Sequence, residues 1–134
     1  MHPHIQTLIE IIKTTINPDD LISIILFGSA AKGHLEKESD IDLLIIVKEY
    51  KEPVCKEYWK KIKKNGYQML DIPIDPIFAE ERALKDLTCS FYLDVIADGR
   101  VIYGKDLLDR TIFRRYNISS ITTGGVRIGW RVLA

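Results

Sequence analysis

Ile5, Leu8, Ile9, Ile12 and Ile16 recur at helical spacing. That spacing gathers apolar side chains on one face of a helix and predicts an amphipathic helix over about residues 4–16. Asn17-Pro18-Asp19-Asp20 ends it, because proline disfavours helix in the residue before it and Asn and Asp favour turns. Leu21 to Phe27 is a continuous apolar run rich in Ile, the pattern of a buried strand, and Gly28-Ser29 closes it. A short helix is expected from Ser29 to about His34, with Ser29 as its N-cap and Gly33 as its stop. Asp40 to Lys48 predicts a second strand. Its stretch from Leu43 to Val47 is apolar at every position, which suits a central strand covered on both faces.

Downstream, Cys55, Tyr58, Trp59 and Ile62 form an apolar stripe on a helix predicted over about residues 53–64. Lys56, Lys60, Lys61, Lys63 and Lys64 form its polar side, read as a solvated face, and Asn65-Gly66 is the expected stop. Tyr67 to Phe78 reads as a third strand interrupted by Pro73 and Pro76. A helix is expected from Ala79 to Leu87, with Glu80 and Glu81 near its positive end. Residues 89–97 fit helix or strand. Asp98-Gly99 marks a turn, Val101 to Tyr103 a short strand, and Asp106 to about Tyr116 a last helix. SSITTGG after Asn117 reads as a loop, and the final residues as a strand or a tail. These elements predict an α/β (α+β) fold, a small mixed sheet flanked by helices, over residues 1–116, with a basic C-terminal tail at 117–134.

A chain of 134 residues carries one domain with a sizeable core. Lys plus Arg and Asp plus Glu both number 19, so net charge gives no reason to expect nucleic acid or an anionic membrane. The distribution is uneven. No acidic residue follows Asp109, whereas Arg110, Arg114, Arg115, Arg127 and Arg131 do; such a segment can contact phosphate or simply be solvated. Cys55 and Cys89 stand apart from any metal-spaced cluster and are expected as reduced thiols in a cytoplasmic protein. No apolar run approaches the roughly 20 residues that span a bilayer. The start lacks the basic and apolar regions of a secretory signal. His2 and His4, separated by Pro3 at the terminus, are read as a frayed end rather than a metal site.

The candidate chemistry lies between Leu26 and Val47, LFGSAAKGHLEKESDIDLLIIV. Asp40 and Asp42 are two apart in a strand, so their side chains leave one face, with Cα atoms roughly 6.6 Å apart. From that distance two carboxylates can serve one pair of metal ions. Beside each other they repel, and each resists ionisation without a cation. Upstream, Gly28-Ser29 sits where a strand passes into a helix. Glycine permits close backbone approach, a helix start offers free N–H groups to phosphate, and Ser29 and Lys32 add a hydroxyl and a positive charge. Neither element is specific alone. Their order and spacing are.

Gly28-Ser29-Ala30-Ala31-Lys32-Gly33 followed by Ser39-Asp40-Ile41-Asp42-Leu43 resembles the signature of the DNA polymerase beta-like nucleotidyltransferase superfamily, G-S-x-A-x-G, a spacer, then S-D-x-D-[LIV]. Within it the chain is similar to the minimal nucleotidyltransferases, over about residues 5–108. The resemblance implies a third carboxylate on a later strand. Asp75 is the choice and Asp71, four residues earlier, the fallback. Pro76 departs from the usual aliphatic run, since proline is normally confined to sheet edges or bulges.

The resemblance further implies nucleotidyl transfer from ATP or another nucleoside triphosphate, with two Mg²⁺ ions held by Asp40, Asp42 and Asp75. Gly28 and Ser29 would bind the phosphates, Lys32 would assist, and Asp75 would accept the proton of the attacking hydroxyl. Minimal members are often antitoxins paired with a small helical HEPN-type toxin, to which AMP is transferred on a tyrosine. Two other classes stay open: transfer to RNA or a small molecule recognised by the basic C-terminus, and a non-catalytic module that neutralises a partner by contact.

Overall fold

The computed structural model describes residues 3–32 and 40–132. Helix α1, Pro3–Thr15, leads into β1, Leu21–Phe27, and a one-turn helix α2, Gly28–Ala31. Strand β2, Ile41–Val47, is followed by α3, Glu52–Leu70, and β3, Ile74–Ala79. A 3₁₀ turn, Glu81–Lys85, precedes α4, Ser90–Asp98, and β4, Arg100–Gly104. The chain ends in α5, Ile112–Arg115, and the strands β5, Ile118–Thr123, and β6, Val126–Val132. The expected stop at Gly33, the motif residue Ser39, and His2 and His34 lie outside the described residues.

The main sheet has the order β3-β2-β1-β4. β1 runs antiparallel to β2 and β4, and β2 parallel to β3. This is the mixed α/β architecture that the hydrophobic pattern predicts. The apolar run of β2 has its reason in the layers. Ile41, Leu43, Ile45 and Val47 face a core shared with Leu8 and Ile12 of α1 and Cys55 and Ile62 of α3. Leu44 and Ile46 face a second core with Leu93 and Ile96 of α4, Ile112 and Ile118. Alternate side chains of one strand thus fill two cores. Among the described residues, no helix is long and apolar enough to cross a membrane.

Several elements differ from expectation. α3 does not stop at Asn65-Gly66 but continues to Leu70, so the residues from Tyr67 expected in a strand are helical. Gly66 is there for space rather than for a turn. A Cβ on it would lie 2.5 Å from Cγ1 of Ile74, which is 1% exposed. The helix ends instead at Asp71, in the left-handed conformation with φ 55°. Gly66→Ala is therefore expected to lower the unfolding free energy by about 1–2 kcal/mol in a urea titration. Overpacking against a closed core outweighs alanine's better helix propensity. A stability equal to or above that of the parent would contradict this close packing.

Trp59, expected in the apolar stripe, is 40% exposed, and Lys63 Nζ lies 4.7 Å from its ring centroid. The helix expected from Ala79 is only the 3₁₀ turn. Residues 90–98 resolve as helix. The helix expected from Asp106 shortens to Ile112–Arg115, because Asp106 accepts from the backbone N–H of Leu108, and Asp109 from the N–H and hydroxyl of Thr111. Such local bonds compete with helix.

The C-terminal segment is a β-hairpin: the stretch expected as a loop forms β5, and the final residues take the strand alternative rather than the tail, with β5 and β6 antiparallel about Gly124-Gly125. Both glycines have positive φ, 58° and 80°, as a two-residue hairpin turn of this type requires. The hairpin is fastened to α4. Arg127 pairs with Asp94 at 3.0 Å and with Asp98, Trp130 Nε1 donates to Asp94 at 2.9 Å, and Trp130 stacks on Phe113 with centroids 5.0 Å apart. Arg110 donates to the carbonyls of Ala97 and Gly99, and Arg115 pairs with Asp109. Three of the five arginines that follow Asp109, namely Arg110, Arg115 and Arg127, are thus engaged within the chain.

Candidate active site

The site is built by strand register. Phe27, the last residue of β1, lies directly opposite Asp42 on β2, and Asp42 directly opposite Asp75 on β3. Directly paired residues project from the same face, so Phe27, Asp42 and Asp75 form a row across three strands at one end of the sheet. Neighbouring strands lie about 4.8 Å apart, which brings the two carboxylates within reach of a common ligand. Asp40 is exposed and immediately precedes β2. Asp71 is not on the strand face expected of it. It caps α3 outside the ladder, exposed, its N–H bonded to the carbonyl of Tyr67 at 2.9 Å.

Pro76, which follows Asp75, lies in β3 opposite Leu43. β3 is an edge strand, and an edge tolerates the missing N–H. A proline that departs from the usual strand pattern is thus accommodated by sheet order.

Gly28 closes the row from the β1 side. Its φ is +68°, and a Cβ there would lie 2.4 Å from Oδ2 of Asp42. The absent side chain is what lets the strand end turn into α2 against the Asp42 carboxylate. Ser29 lies within the first turn of α2. It is not the expected N-cap: Phe27 occupies that position, without a side-chain capping bond. Lys32 follows the turn at its C-cap; it is exposed, and its backbone N–H bonds to the carbonyl of Ser29 at 3.1 Å.

The electrostatics of the row are unfavourable as it stands. Burial pushes the Asp42 carboxyl above its ordinary value, and the charges of Asp75 and then Asp40 push it further. Among the described residues, no three acidic, His or Cys side chains already form a metal cage. Two neighbouring carboxylates at a strand end are nevertheless a donor set that suits Mg²⁺. That ion keeps several waters and is commonly held by one or two carboxylates together with substrate phosphates. A cleft of about 290 Å³, lined in part by Leu84, Ile96, Leu107 and Ile112, contains none of these aspartates.

Phe27 is not among the residues that the sequence singles out. Its place in the row depends on cross-strand register, which no local motif reveals. Its ring meets that of Phe91, at the start of α4, with centroids 5.3 Å apart and planes at 86°.

The family model described as nucleotidyltransferase domain matches residues 5–99. A candidate protein adenylyltransferase of Methanocaldococcus jannaschii is 47% identical over 78 residues, covering 52% of this chain and 77% of that protein. Among solved structures, a toxin–antitoxin complex with AMP-PNP superimposes with a TM-score of 0.59 at 20% identity, over 84% of this chain and 87% of that one. The complex of a tri-AMPylated Shewanella oneidensis HEPN toxin with its MNT antitoxin gives a TM-score of 0.53 at 17% identity, over 85% of each chain. These structural likenesses establish the shared fold.

Proposed function

The chain belongs to the nucleotidyltransferase domain family and is a nucleotidyltransferase; from that premise we propose that it transfers AMP from ATP to a hydroxyl group of a partner protein. The observation that carries the reading is the in-register pair Asp42 and Asp75 with the backbone of Gly28 pressed against Asp42. A row of like charges costs stability unless a cation and a polyphosphate use it.

In this mechanism Gly28 and Ser29 receive the phosphates on the β1 side of Asp42, with Lys32 as an electrostatic aid. Asp40, Asp42 and Asp75 would hold Mg²⁺, two ions in the full reading, which when bound neutralises the phosphate oxygens and the departing charge. The acceptor hydroxyl reaches the row from the open β3 edge. Its oxygen bonds to the α-phosphorus, the bond from that phosphorus to the α–β bridging oxygen breaks, pyrophosphate departs, and the hydroxyl proton passes to Asp75 Oδ. The relative's name and the AMPylated toxin complex favour a protein acceptor. A HEPN-type partner, modified on a tyrosine, is the acceptor that the resemblance implies.

The test is incubation of the purified protein with α-labelled ATP, Mg²⁺ and extract of its own cell. Label on one small protein is expected. Label on RNA would instead favour transfer to nucleic acid, and no labelled product at all would favour a contact-only module. Asp75→Asn is expected to lower the initial rate by about a hundredfold. Asp71→Asn should leave the rate within about twofold, because Asp71 stands outside the ladder and its replacement removes no proton acceptor from the row. The reverse result would assign the third carboxylate to Asp71.

A further inference from the structure

We propose that Phe91, set against Phe27, is the nucleobase platform of this site. The proposal rests on the reading of the carboxylate row as the transfer site. Asp42 has two flanks. On one lie Asp75 and the open β3 edge; on the other lie Phe27, Gly28 and Ser29. A nucleotide whose phosphates meet Gly28 and Ser29 lies on the second flank, where the ends of β1 and α4 stand within reach of its nucleoside. The aromatic surface there is Phe27 and Phe91.

Phe27 is fixed by its place in the ladder, about 5 Å from Asp42 at the Cα atoms. Phe91 is brought to it by α4, which also packs against α2. Both rings are half-buried and attached to the edge of the α4 core. Two rings at right angles form a corner that offers a planar group the face of one and the edge of the other, the arrangement aromatic systems prefer. A third ring, Tyr92, meets Phe91 at 5.1 Å with planes at 71° and supports its orientation. Both rings keep part of their surface exposed. Stacking does not read base edges, so Phe91 contributes affinity for the nucleoside rather than choice of base.

The experiment measures calorimetric binding, in Mg²⁺, of two probes to the intact protein. One is α,β-methylene-ATP, whose α–β bridge cannot be broken by transfer. The other is inorganic tripolyphosphate, which has the charge without the base. Phe91→Ala is expected to weaken the nucleotide roughly tenfold, the size of a lost base–aromatic stack, and to leave tripolyphosphate within about twofold. Phe91→Tyr should restore nucleotide binding and Phe91→Leu, which keeps the packing without the π face, should not; Phe91→Leu also serves if the alanine variant does not fold. Unchanged nucleotide affinity in Phe91→Ala overturns the proposal, as does equal weakening of both probes or full binding by Phe91→Leu. Normal nucleotide affinity with a raised KM for the acceptor would give the corner to the acceptor instead, and also overturns it. A parent protein that binds neither probe removes the transfer-site reading itself, a result distinct from all of these.

Discussion

Replacing Asp42 with asparagine is expected to reduce AMP transfer by at least about a thousandfold, the loss of several kcal/mol of metal-centred stabilisation, while the fold persists. The same substitution should make the Mg²⁺-free protein more stable. Asp42 is pushed above its ordinary carboxyl value by burial and by the charges of Asp75 and Asp40, so its ionised form is less comfortable in the folded chain than in the unfolded one. For an acid raised in this way, the stabilising contribution is full below the unfolded value, 3.8, and is lost as pH rises through the folded value. Asparagine keeps the shape and cannot ionise. The melting temperature of Asp42→Asn should therefore match the parent at acid pH and exceed it near neutrality. Adding Mg²⁺ and nucleotide should raise the parent and leave the variant where it is. A variant that transfers AMP normally would remove Asp42 from the chemistry. One that is less stable than the parent at neutral pH would show that its carboxylate is a structural group.

The parts of the site that lie close together in the chain are legible in the sequence itself. Gly28-Ser29 and Asp40-x-Asp42 are local patterns, and the apolar run that makes β2 a central strand is written in Leu43 to Val47. The features that a local pattern misses depend on pairing or packing. Gly66 carries the appearance of a helix stop, but Ile74, eight residues further on, decides its meaning by leaving no room for a side chain. Asp71 and Asp75 have the spacing of neighbours on one strand, yet α3 extends as far as the first of them and takes it as a cap. Asp106 and Asp109 fit a helical stretch, and their side-chain bonds to Leu108 and Thr111 stop it. The hairpin is a different case. Gly124-Gly125 between two stretches containing β-branched residues is itself a local turn signal, and the polar run of Ser and Thr in β5 disguises it. The row Phe27, Asp42, Asp75 has no local signature, because it exists only once three strands are in register.

Gly28 joins the local motif to that row, and Gly28→Ala is the second substitution with a large expected effect. Two costs combine. At φ +68° a Cβ meets the left-handed penalty of about 1–2 kcal/mol, and it would stand 2.4 Å from Asp42 Oδ2, closer than any pair of unbonded heavy atoms settles. Relief requires the Asp42 carboxylate to rotate away or the β1 end to withdraw from β2. The first misplaces a metal ligand and the second misplaces the phosphate loop. Displacements of about 1 Å at a reacting centre cost on the order of a hundredfold; losing the Asp42 position as well should bring the fall in transfer towards the roughly thousandfold expected of Asp42→Asn. Unlike Asp42→Asn, this variant should be less stable than the parent, by about 2–3 kcal/mol in a urea titration. The double variant Gly28→Ala with Asp42→Gly separates the costs: removing the Asp42 side chain should return the part of the stability due to collision and leave the part due to backbone strain. Were the double variant no more stable than Gly28→Ala alone, the contact between Gly28 and Asp42 would not be what holds this turn in place.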